Sequence, residues 1–405
     1  MAEIDELERV LDSLDEKRQS GGNVRDYFGN IIMTAVPASA QQVLEMSKAQ
    51  GREFRAKPLS HRVQMLEGAV RALEEKKSEL AKLYCRESGK PVSACRAEVA
   101  SAAAIGRHLA KKLEGATSFQ RGGETEIEVD KPLHHMTLRV DSLTDMAKAV
   151  FSSIGSGTPL MLLPRKGAVA TAYDVKALLS GVADAGNIAV EFCREHVDGA
   201  IDLSRRRQVF VLAGDCDYDA AAGIVSDRVM STHKPVYVFV DGSIAEPFVG
   251  AVHESLKAFK GGDPADVGTG IRSYCSDELN EFARQKASVP RKPKFGLQIA
   301  GKQIMPGLYL AGEFDRHIPN NITFGPVVAA FEYGDISHGA HYANLLRMES
   351  ASVFSREIKS LFEVVKALDA PFIFSNSAPQ EEKLAEGVLS LMQRKRRVFL
   401  NESGI

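Results

Sequence analysis

One short run of the chain, Met230 to Lys234, sets two hydroxyl groups, Ser231 and Thr232, beside the imidazole of His233. A hydroxyl becomes a nucleophile only when an adjacent base removes its proton, and histidine is the usual base. The same residues also fit a plain loop that leads into the apolar strand after them. The spacing therefore leaves a nucleophile–base pair and an inert loop both open.

The cysteines and histidines show no metal-ligand spacing. The close histidine pairs, His338 with His341 and His134 with His135, have no further ligands in their segments. No Cys-x-x-Cys pair occurs, and the number of cysteines is odd, so we expect reduced thiols and neither a zinc site nor a disulfide framework. The thiols are Cys85, Cys95, Cys193, Cys216 and Cys275.

The charge of the chain is balanced, with 51 Lys and Arg residues against 53 Asp and Glu residues. Proteins that bind nucleic acid or an anionic membrane need a basic surface, so we expect neither partner. No apolar run approaches the roughly 18 residues of a membrane span, and the acidic N-terminus lacks the pattern of a signal peptide. These features predict a soluble, cytoplasmic protein.

Strand-like and helix-like periodicities alternate along most of the 405 residues. Residues 60–84 and 92–113 predict amphipathic helices, and from residue 159 onward short apolar strands alternate with helices. Such alternation is typical of βαβ units and a parallel sheet. It restarts near residue 230, which predicts an α/β fold with two successive α/β lobes. Residues 118–140 change to an alternating polar and apolar pattern, which predicts a β-hairpin arm.

Seven segments of the chain, in the right order, resemble signature motifs of the aldehyde dehydrogenase superfamily. The resemblance covers residues from about 30 to 401, and the sequence is identified as a shortened and divergent member. The segments are residues 60–99, GTPLMLLP (157–164), AGDCDYDAAA (213–222), VYVFVDGSIAEPFV (236–249), KGGDPADVGTGI (260–271), ITFGPVVAAFEYGD (322–335) and EGVLSLMQRKRRVFLN (386–401).

The resemblance implies a Rossmann-like dinucleotide domain, a catalytic-type α/β domain and a β-hairpin oligomerisation arm. Arm and tail are expected to meet across a two-fold interface, in a homodimer or in a heteromer with an active paralogue. The implied units are an N-terminal helical extension (1–22), the Rossmann-like domain (23–118 and 141–229), the arm and tail (119–140 and 393–405) and the catalytic-type domain (230–392).

The chain departs from the family pattern where the family carries its chemistry. The family oxidises aldehydes with NAD or NADP through a cysteine nucleophile. Counting back from the strand at 236–240 puts that cysteine at Thr232, with Ser231 and His233 adjacent. The segment 138–142, where the family has an oxyanion-binding asparagine, reads Leu-Arg-Val-Asp-Ser. Neither the general-base glutamate nor the glycine-rich phosphate turn has a counterpart.

The cofactor positions of the family are also changed. Leu163 replaces a lysine of the family, and Lys166 replaces the carboxylate residue that follows that lysine. Ile322 replaces the glutamate that binds the ribose of the nicotinamide. The family's proline remains as Pro164, beside Leu163, and its phenylalanine remains as Phe324, near Ile322. The cofactor-binding candidates are therefore Pro164, Arg165, Lys166 and Phe324.

Two functions remain open for such a sequence. The first is a catalytically inactive relative with a structural or regulatory role, which needs no cofactor. The alternative is an NAD(P)-dependent oxidoreductase acting on an aldehyde or acyl group with altered site chemistry, through Thr232 or His233. In that case Lys166 beside Arg165 favours NADP, because a cation suits a 2′-phosphate better than a free 2′-hydroxyl.

Overall fold

The computed structural model describes residues 23–35, 37–49, 52–115, 126–181, 188–193, 195–205 and 207–399. The predicted N-terminal helical extension, residues 1–22, lies outside the described residues. So do the beginning of the predicted arm and the end of the predicted tail.

The described residues form helices and strands in alternation. The helices are α1 (Ala40–Ala49), α2 (Arg52–Arg55), α3 (Leu59–Glu75), α4 (Lys77–Ser88), α5 (Val92–Gly115), α6 (Leu143–Ser156), α7 (Val169–Ser180), α8 (Tyr218–Thr232), α9 (Ala245–Lys257), α10 (Ser276–Ala287), α11 (His317–Asn321), α12 (Ile336–Asn344), α13 (Ile358–Ala367) and α14 (Glu381–Leu391). The strands are β1 (Asn23–Arg25), β2 (Ile31–Thr34), β3 (Glu126–Pro132), β4 (Met136–Val140), β5 (Leu160–Pro164), β6 (Ile188–Val190), β7 (Ile201–Asp202), β8 (Arg207–Leu212), β9 (Val236–Asp241), β10 (Ile299–Ala300), β11 (Gln303–Ile304), β12 (Gly307–Ala311), β13 (Val327–Tyr333), β14 (Met348–Phe354), β15 (Ile373–Ser375) and β16 (Gln393–Phe399).

The first lobe is built on a parallel four-stranded sheet in the order β6-β5-β4-β7. Every residue of β4 and β5 is buried, as expected for parallel strands that helices cover on both faces. Helices α3, α5 and α6 pack together with these strands in one hydrophobic core.

The second lobe is built on a parallel six-stranded sheet in the order β12-β13-β9-β8-β14-β15. Its buried side chains alternate between two cores. In β8, Val209 and Val211 face one core, whereas Phe210 and Leu212 face the other. This period of two places helices on both faces of the sheet. The predicted α/β fold with two lobes is thus confirmed.

The boundary between the lobes lies near residue 206, and the predicted boundary near residue 230 is wrong. Strand β8 pairs with both β9 and β14, so β8 and the helix after it, α8, belong to the second lobe. Strand β8 follows β7 of the first sheet after only four residues of the chain. The sequence misleads here because the strand–helix alternation continues through the boundary without a change of composition.

The arm is shorter than the segment 119–140 predicted from the sequence. Strand β4 is an inner strand of the first sheet, between β5 and β7, and is not part of a hairpin. Strand β3 pairs antiparallel with β16 of the same chain, from Gln393 opposite Pro132 to Phe399 opposite Glu126. Arm and tail therefore pair within one chain, and the expected two-fold interface stays a prediction.

Helix α14 crosses back to the first lobe, although it falls within the predicted catalytic-type domain. Its apolar side chains Ala385, Val388 and Leu389 belong to the first lobe's core. The chain thus passes from the first lobe to the second and returns, which connects the two lobes a second time.

A glycine predicted to end a helix also joins the lobes. Gly89 follows α4 with φ of 71°, and a Cβ there would lie 2.1 Å from the carbonyl oxygen of Ser273. The Ser273 amide donates to the Gly89 carbonyl oxygen at 2.8 Å. Only glycine fits this left-handed position so close to the second lobe's backbone.

Candidate functional site in the cleft between the lobes

Thr232 is the last residue of α8, and its hydroxyl is engaged by its own helix. Thr232 Oγ1 donates to the carbonyl oxygen of Arg228 at 2.8 Å and accepts from the Lys234 amide at 3.3 Å. The Ser231 hydroxyl donates to the same carbonyl oxygen at 3.1 Å. A helical serine or threonine makes this bond to the carbonyl four residues back, or near it, without any catalytic role.

His233 does not contact these hydroxyls through a hydrogen bond. It lies in the left-handed region with φ of 53°, and it is 1% exposed. Neither ring nitrogen has a hydrogen-bond partner within the described chain. Burial lowers the pKa of His233 well below its usual value, and the nearby cations Lys90 and Arg272 lower it further. The structure therefore does not form the nucleophile–base pair that the sequence left open.

The cleft beside Thr232 is about 200 Å³ in volume and is lined by both lobes. The first lobe contributes residues of α5, of α6 and of the loop after β4. The second lobe contributes the C-terminal end of α8 and the beginnings of strands β8, β9 and β14. Ligand pockets in proteins are usually larger, at about 300–1,000 Å³.

A buried ammonium group lies at the centre of this cleft. Lys148 of α6 is 2% exposed, and its Nζ contacts three carboxylates, of Asp145 at 3.4 Å, Glu349 at 3.3 Å and Glu381 at 2.6 Å. Burial by itself lowers the pKa of Lys148, but the three carboxylates outweigh burial and hold the pKa above its ordinary value. Lys148 is therefore a permanent cation that its neighbours neutralise.

Two further cations extend this network across the lobes. Lys234 Nζ of the second lobe lies 2.8 Å from Asp141 and 3.5 Å from Asp145, both of the first lobe. Arg228 of α8 pairs with Glu381 of α14. Burial would raise the pKa of Glu381, but Lys148 and Arg228 lower it to about 2. The charged groups of the cleft thus satisfy one another.

The cofactor-binding candidates contact other residues of the same chain. Pro164 ends β5, and Arg165 after it donates to Asp202 at 2.5 Å and to Ser204 at 2.9 Å. Lys166 Nζ lies 3.5 Å from the sulfur of Cys275 in the second lobe. Phe324 packs against Tyr274 and Phe282, with ring centroids 6.1 and 6.0 Å apart.

A carboxylate of the chain occupies the N-terminus of α7, the helix that follows β5. The amides of Ala170 and Thr171 donate to the Glu87 carboxylate at 2.8 and 2.9 Å, and the Thr171 hydroxyl donates at 2.7 Å. Such a helix start is where parallel-sheet folds bind phosphate. The next connection, from β6 to β7, contains no helix among its described residues. Leu163 and Ile322 are buried core residues, at 0% and 1% exposure.

Comparison with known proteins assigns the family. Residues 27–136 and 208–387, well over half of the chain, match the sequence profile of the aldehyde dehydrogenase family. The chain belongs to the aldehyde dehydrogenase family. A Staphylococcus saprophyticus protein named as a candidate aldehyde dehydrogenase is 24% identical over 196 residues, which cover 44% of this chain and 41% of that protein. Human mitochondrial 10-formyltetrahydrofolate dehydrogenase is 28% identical over 182 residues, 41% of this chain and 20% of that protein.

Solved aldehyde dehydrogenase structures share the fold of this family member. A NAD-dependent benzaldehyde dehydrogenase from Corynebacterium glutamicum superposes with a TM-score of 0.77 at 17% identity, over 95% of this chain and 94% of that one. The NADP complex of glyceraldehyde-3-phosphate dehydrogenase GapN from Methanocaldococcus jannaschii superposes with a TM-score of 0.71 at 15% identity, over 95% and 100%. At these identities the likeness establishes the fold alone. The chain spans less than half the length of the curated relatives that it matches in sequence.

The charged residues of the cleft were missed by the sequence analysis. One signal was available, because Asp145 and Lys148 stand three residues apart in the otherwise uncharged and mostly apolar helix LTDMAKAVFSSIGS. Charged residues inside an apolar run are buried only when they are paired. Their partners Glu349 and Glu381 are distant in sequence, so no local pattern identifies them.

Among the described residues, no group of three or more His, Cys, Asp or Glu side chains is placed to hold a metal ion, and no helix could span a membrane.

The low pKa of Glu381 predicts acid sensitivity that a Glu381→Gln variant lacks. A carboxyl whose pKa falls from 4.5 to about 2 on folding stabilises the protein fully above pH 4.5, and this stabilisation is lost as the pH falls toward 2. Glu381→Gln should therefore lower the free energy of unfolding at neutral pH by about 3 kcal/mol and should reduce its decline in acid. Denaturant unfolding at neutral and acidic pH measures both effects.

The matched control is Glu79→Gln, which removes a carboxylate whose side chain is 73% exposed and which pairs with Lys76 on the surface. Exposed pairs contribute at most about 1 kcal/mol. Equal losses of stability in Glu381→Gln and Glu79→Gln would show that the cleft carboxylate is not held by its cations.

Proposed function

We propose that this aldehyde dehydrogenase family member is catalytically inactive and has a structural or regulatory role. The observation that carries the proposal is the hydroxyl of Thr232. At the place that the resemblance assigns to the nucleophile, this hydroxyl is hydrogen-bonded to the helix carbonyl of Arg228, and its only other bond within the described chain is from the Lys234 amide. A threonine hydroxyl without a base does not attack a carbonyl at a useful rate.

The electrostatics of the cleft support the same proposal. A substrate that enters would have to separate Lys148 from its three carboxylates or Lys234 from its two. Separating a buried pair leaves an unpaired charge in a medium of low dielectric constant, which is strongly unfavourable. Because the pairs join residues of both lobes, they also oppose the opening of the cleft.

A dinucleotide does not fit the residues on the first lobe's side of the cleft. Glu87 holds the amides at the start of α7 that would otherwise bind a phosphate. Arg165 is paired with Asp202, so its charge is already neutralised and is not offered to a 2′-phosphate. We therefore expect neither NAD nor NADP to be a cofactor, and no step through a nicotinamide is derived.

The proposal predicts no NAD- or NADP-dependent oxidation of simple aldehydes above background. Loss of a nucleophile that acts with its partners as a unit costs roughly 10⁶-fold in rate in a well-studied hydrolase. Spectrophotometric assays of NADH and NADPH formation, with an active family member as positive control, measure this. The variants Thr232→Ala and Ser231→Ala should match the unaltered protein.

Turnover that Thr232→Ala abolishes and Ser231→Ala leaves intact would support the oxidoreductase with altered chemistry instead. Calorimetric titration with NAD and NADP measures cofactor binding separately from turnover. Losing two hydrogen bonds to charged groups weakens binding about a hundredfold or more, so micromolar affinity for NAD or NADP would also contradict the proposal.

We further propose that the arm and tail mediate assembly, as a homodimer or as a heteromer with an active paralogue. Strands β3 and β16 form a two-stranded ribbon that hydrogen-bonds to no other described strand. An isolated two-stranded ribbon is marginally stable in water, and its open edges can recruit another strand. The five cysteines, which are all free, suit the reducing cytoplasm.

Removing β16 should disrupt this assembly. A chain that ends at Met392 leaves β3 without its partner strand, so we expect a monomer or an aggregating species where the intact protein is a dimer. A chain that ends at Phe399 keeps β16 and serves as the control. Light scattering after size-exclusion chromatography measures the mass; an intact monomer, or an unchanged dimer after truncation at Met392, would contradict the assignment.

A further inference from the structure

A second pocket between the lobes brings a lysine and a cysteine together. It has a volume of about 300 Å³ and is lined by the turn after β1, by Lys166 of the first lobe and by Cys275 of the second. Lys166 Nζ lies 3.5 Å from the Cys275 sulfur, although the two residues are 109 positions apart in sequence. The pair therefore bridges the lobes at the rim of the cleft.

Cys275 is the accessible thiol of this chain. All five cysteines lie among the described residues, and Cys275 is the one that is not buried. Its backbone is fixed at the start of α10, where the Cys275 amide donates to the Glu278 carboxylate at 2.9 Å. The Lys166 side chain, by contrast, is exposed and long enough to move toward the sulfur. One partner is thus held in place while the other can approach it.

The chemistry of these two groups is complementary once the thiol is oxidised. A peroxide converts an accessible cysteine to a sulfenic acid, and a sulfenic acid condenses with a nitrogen nucleophile to a sulfenamide. The most favourable nitrogen is one already in contact with the sulfur, because no further entropy is lost in bringing the two together.

We propose that Cys275 and Lys166 form a peroxide-sensitive covalent bridge between the two lobes. Hydrogen peroxide oxidises the Cys275 thiol to a sulfenic acid and is itself reduced to water. The Lys166 ammonium loses one proton to solvent, and its amine then attacks the sulfur. The S–O bond breaks, the hydroxyl leaves with a second amine proton as water, and an S–N bond remains. Overall, one thiol, one ammonium and one hydrogen peroxide give one sulfenamide, two waters and one proton.

The bridge acts on the arrangement of the lobes and does not depend on aldehyde chemistry. Lys166 lies two residues after the end of β5, and Cys275 directly precedes α10, so the S–N bond would fix the first sheet to the second lobe. A thiol reductant cleaves a sulfenamide and restores both side chains, so the bridge is reversible.

Mass spectrometry of the full chain tests the proposal. The protein is treated with a small excess of hydrogen peroxide at mildly alkaline pH, because burial raises the pKa of the Cys275 thiol and the thiolate is the species that reacts. We expect a mass loss of two hydrogen atoms and, after digestion, a peptide that joins Lys166 to Cys275. Dithiothreitol should reverse both changes.

Three variants provide the controls. Cys275→Ser and Lys166→Arg should abolish the cross-linked peptide, and Lys166→Arg should instead accumulate sulfenic or sulfinic acid at Cys275. Lys302→Arg, which changes another cation of the same pocket, should leave the cross-link intact. Because the unaltered protein supplies the main readout, a variant that fails to fold does not decide the outcome.

Several results would overturn the proposal. Oxidation of Cys275 in the unaltered protein to sulfenic or sulfinic acid without a joined peptide would exclude the bridge, as would a disulfide or a cross-link of Cys275 to any residue other than Lys166.

Discussion

The ammonium group of Lys148, removed from water at the junction of the lobes, is the constraint on which the arrangement of the cleft depends. A desolvated charge is tolerated only when it is paired and hydrogen-bonded. One partner is Asp145 in the preceding turn of α6, and the other two come from distant parts of the chain, strand β14 of the second lobe and helix α14. The lobes must therefore keep one relative position for this charge to be neutralised.

The same constraint relates the cleft to the backbone around it. Backbone-critical positions at the lobe junction are kept; Gly89 and Gly325 both have positive φ, and Gly325 donates its amide to the His233 carbonyl oxygen at 3.1 Å. The charged side chains of the cleft are paired with one another. Ion pairs now supply the cohesion at this junction, which agrees with a protein that is selected for its shape and its contacts.

Much of the fold could be predicted from the sequence, because local periodicity determines it. The alternation of strands and helices and the helix stop at Gly89 are visible in short windows. Strand β14 is not: the sequence predicts helices at 336–345 and 356–368 with no strand between them, since Glu349 and two serines interrupt the apolar run MESASVF. The lobe boundary and the extent of the arm depend on which strands pair, and pairing is a long-range property.

The candidate site was only half predictable for the same reason. The sequence located Thr232 and the altered cofactor positions, yet it could not show that the Thr232 hydroxyl bonds to its own helix or that the His233 ring has no hydrogen-bond partner among the described residues. The Lys148 network joins residues more than two hundred positions apart, as with Glu349, and no spacing rule relates them. Charged residues within apolar elements are the only sequence sign of such a network.

The measurement that tests this view most directly is a double-mutant cycle between Lys148 and Glu381. Lys148→Met, Glu381→Gln and the double variant are compared with the unaltered protein by denaturant unfolding at neutral pH. If the buried pair holds the cleft together, each single change is strongly destabilising and the double variant recovers part of the loss, with a coupling free energy of about 1–3 kcal/mol. Single effects that add to within about 0.5 kcal/mol would show that the two groups do not interact, and the charge network would not be what closes the cleft.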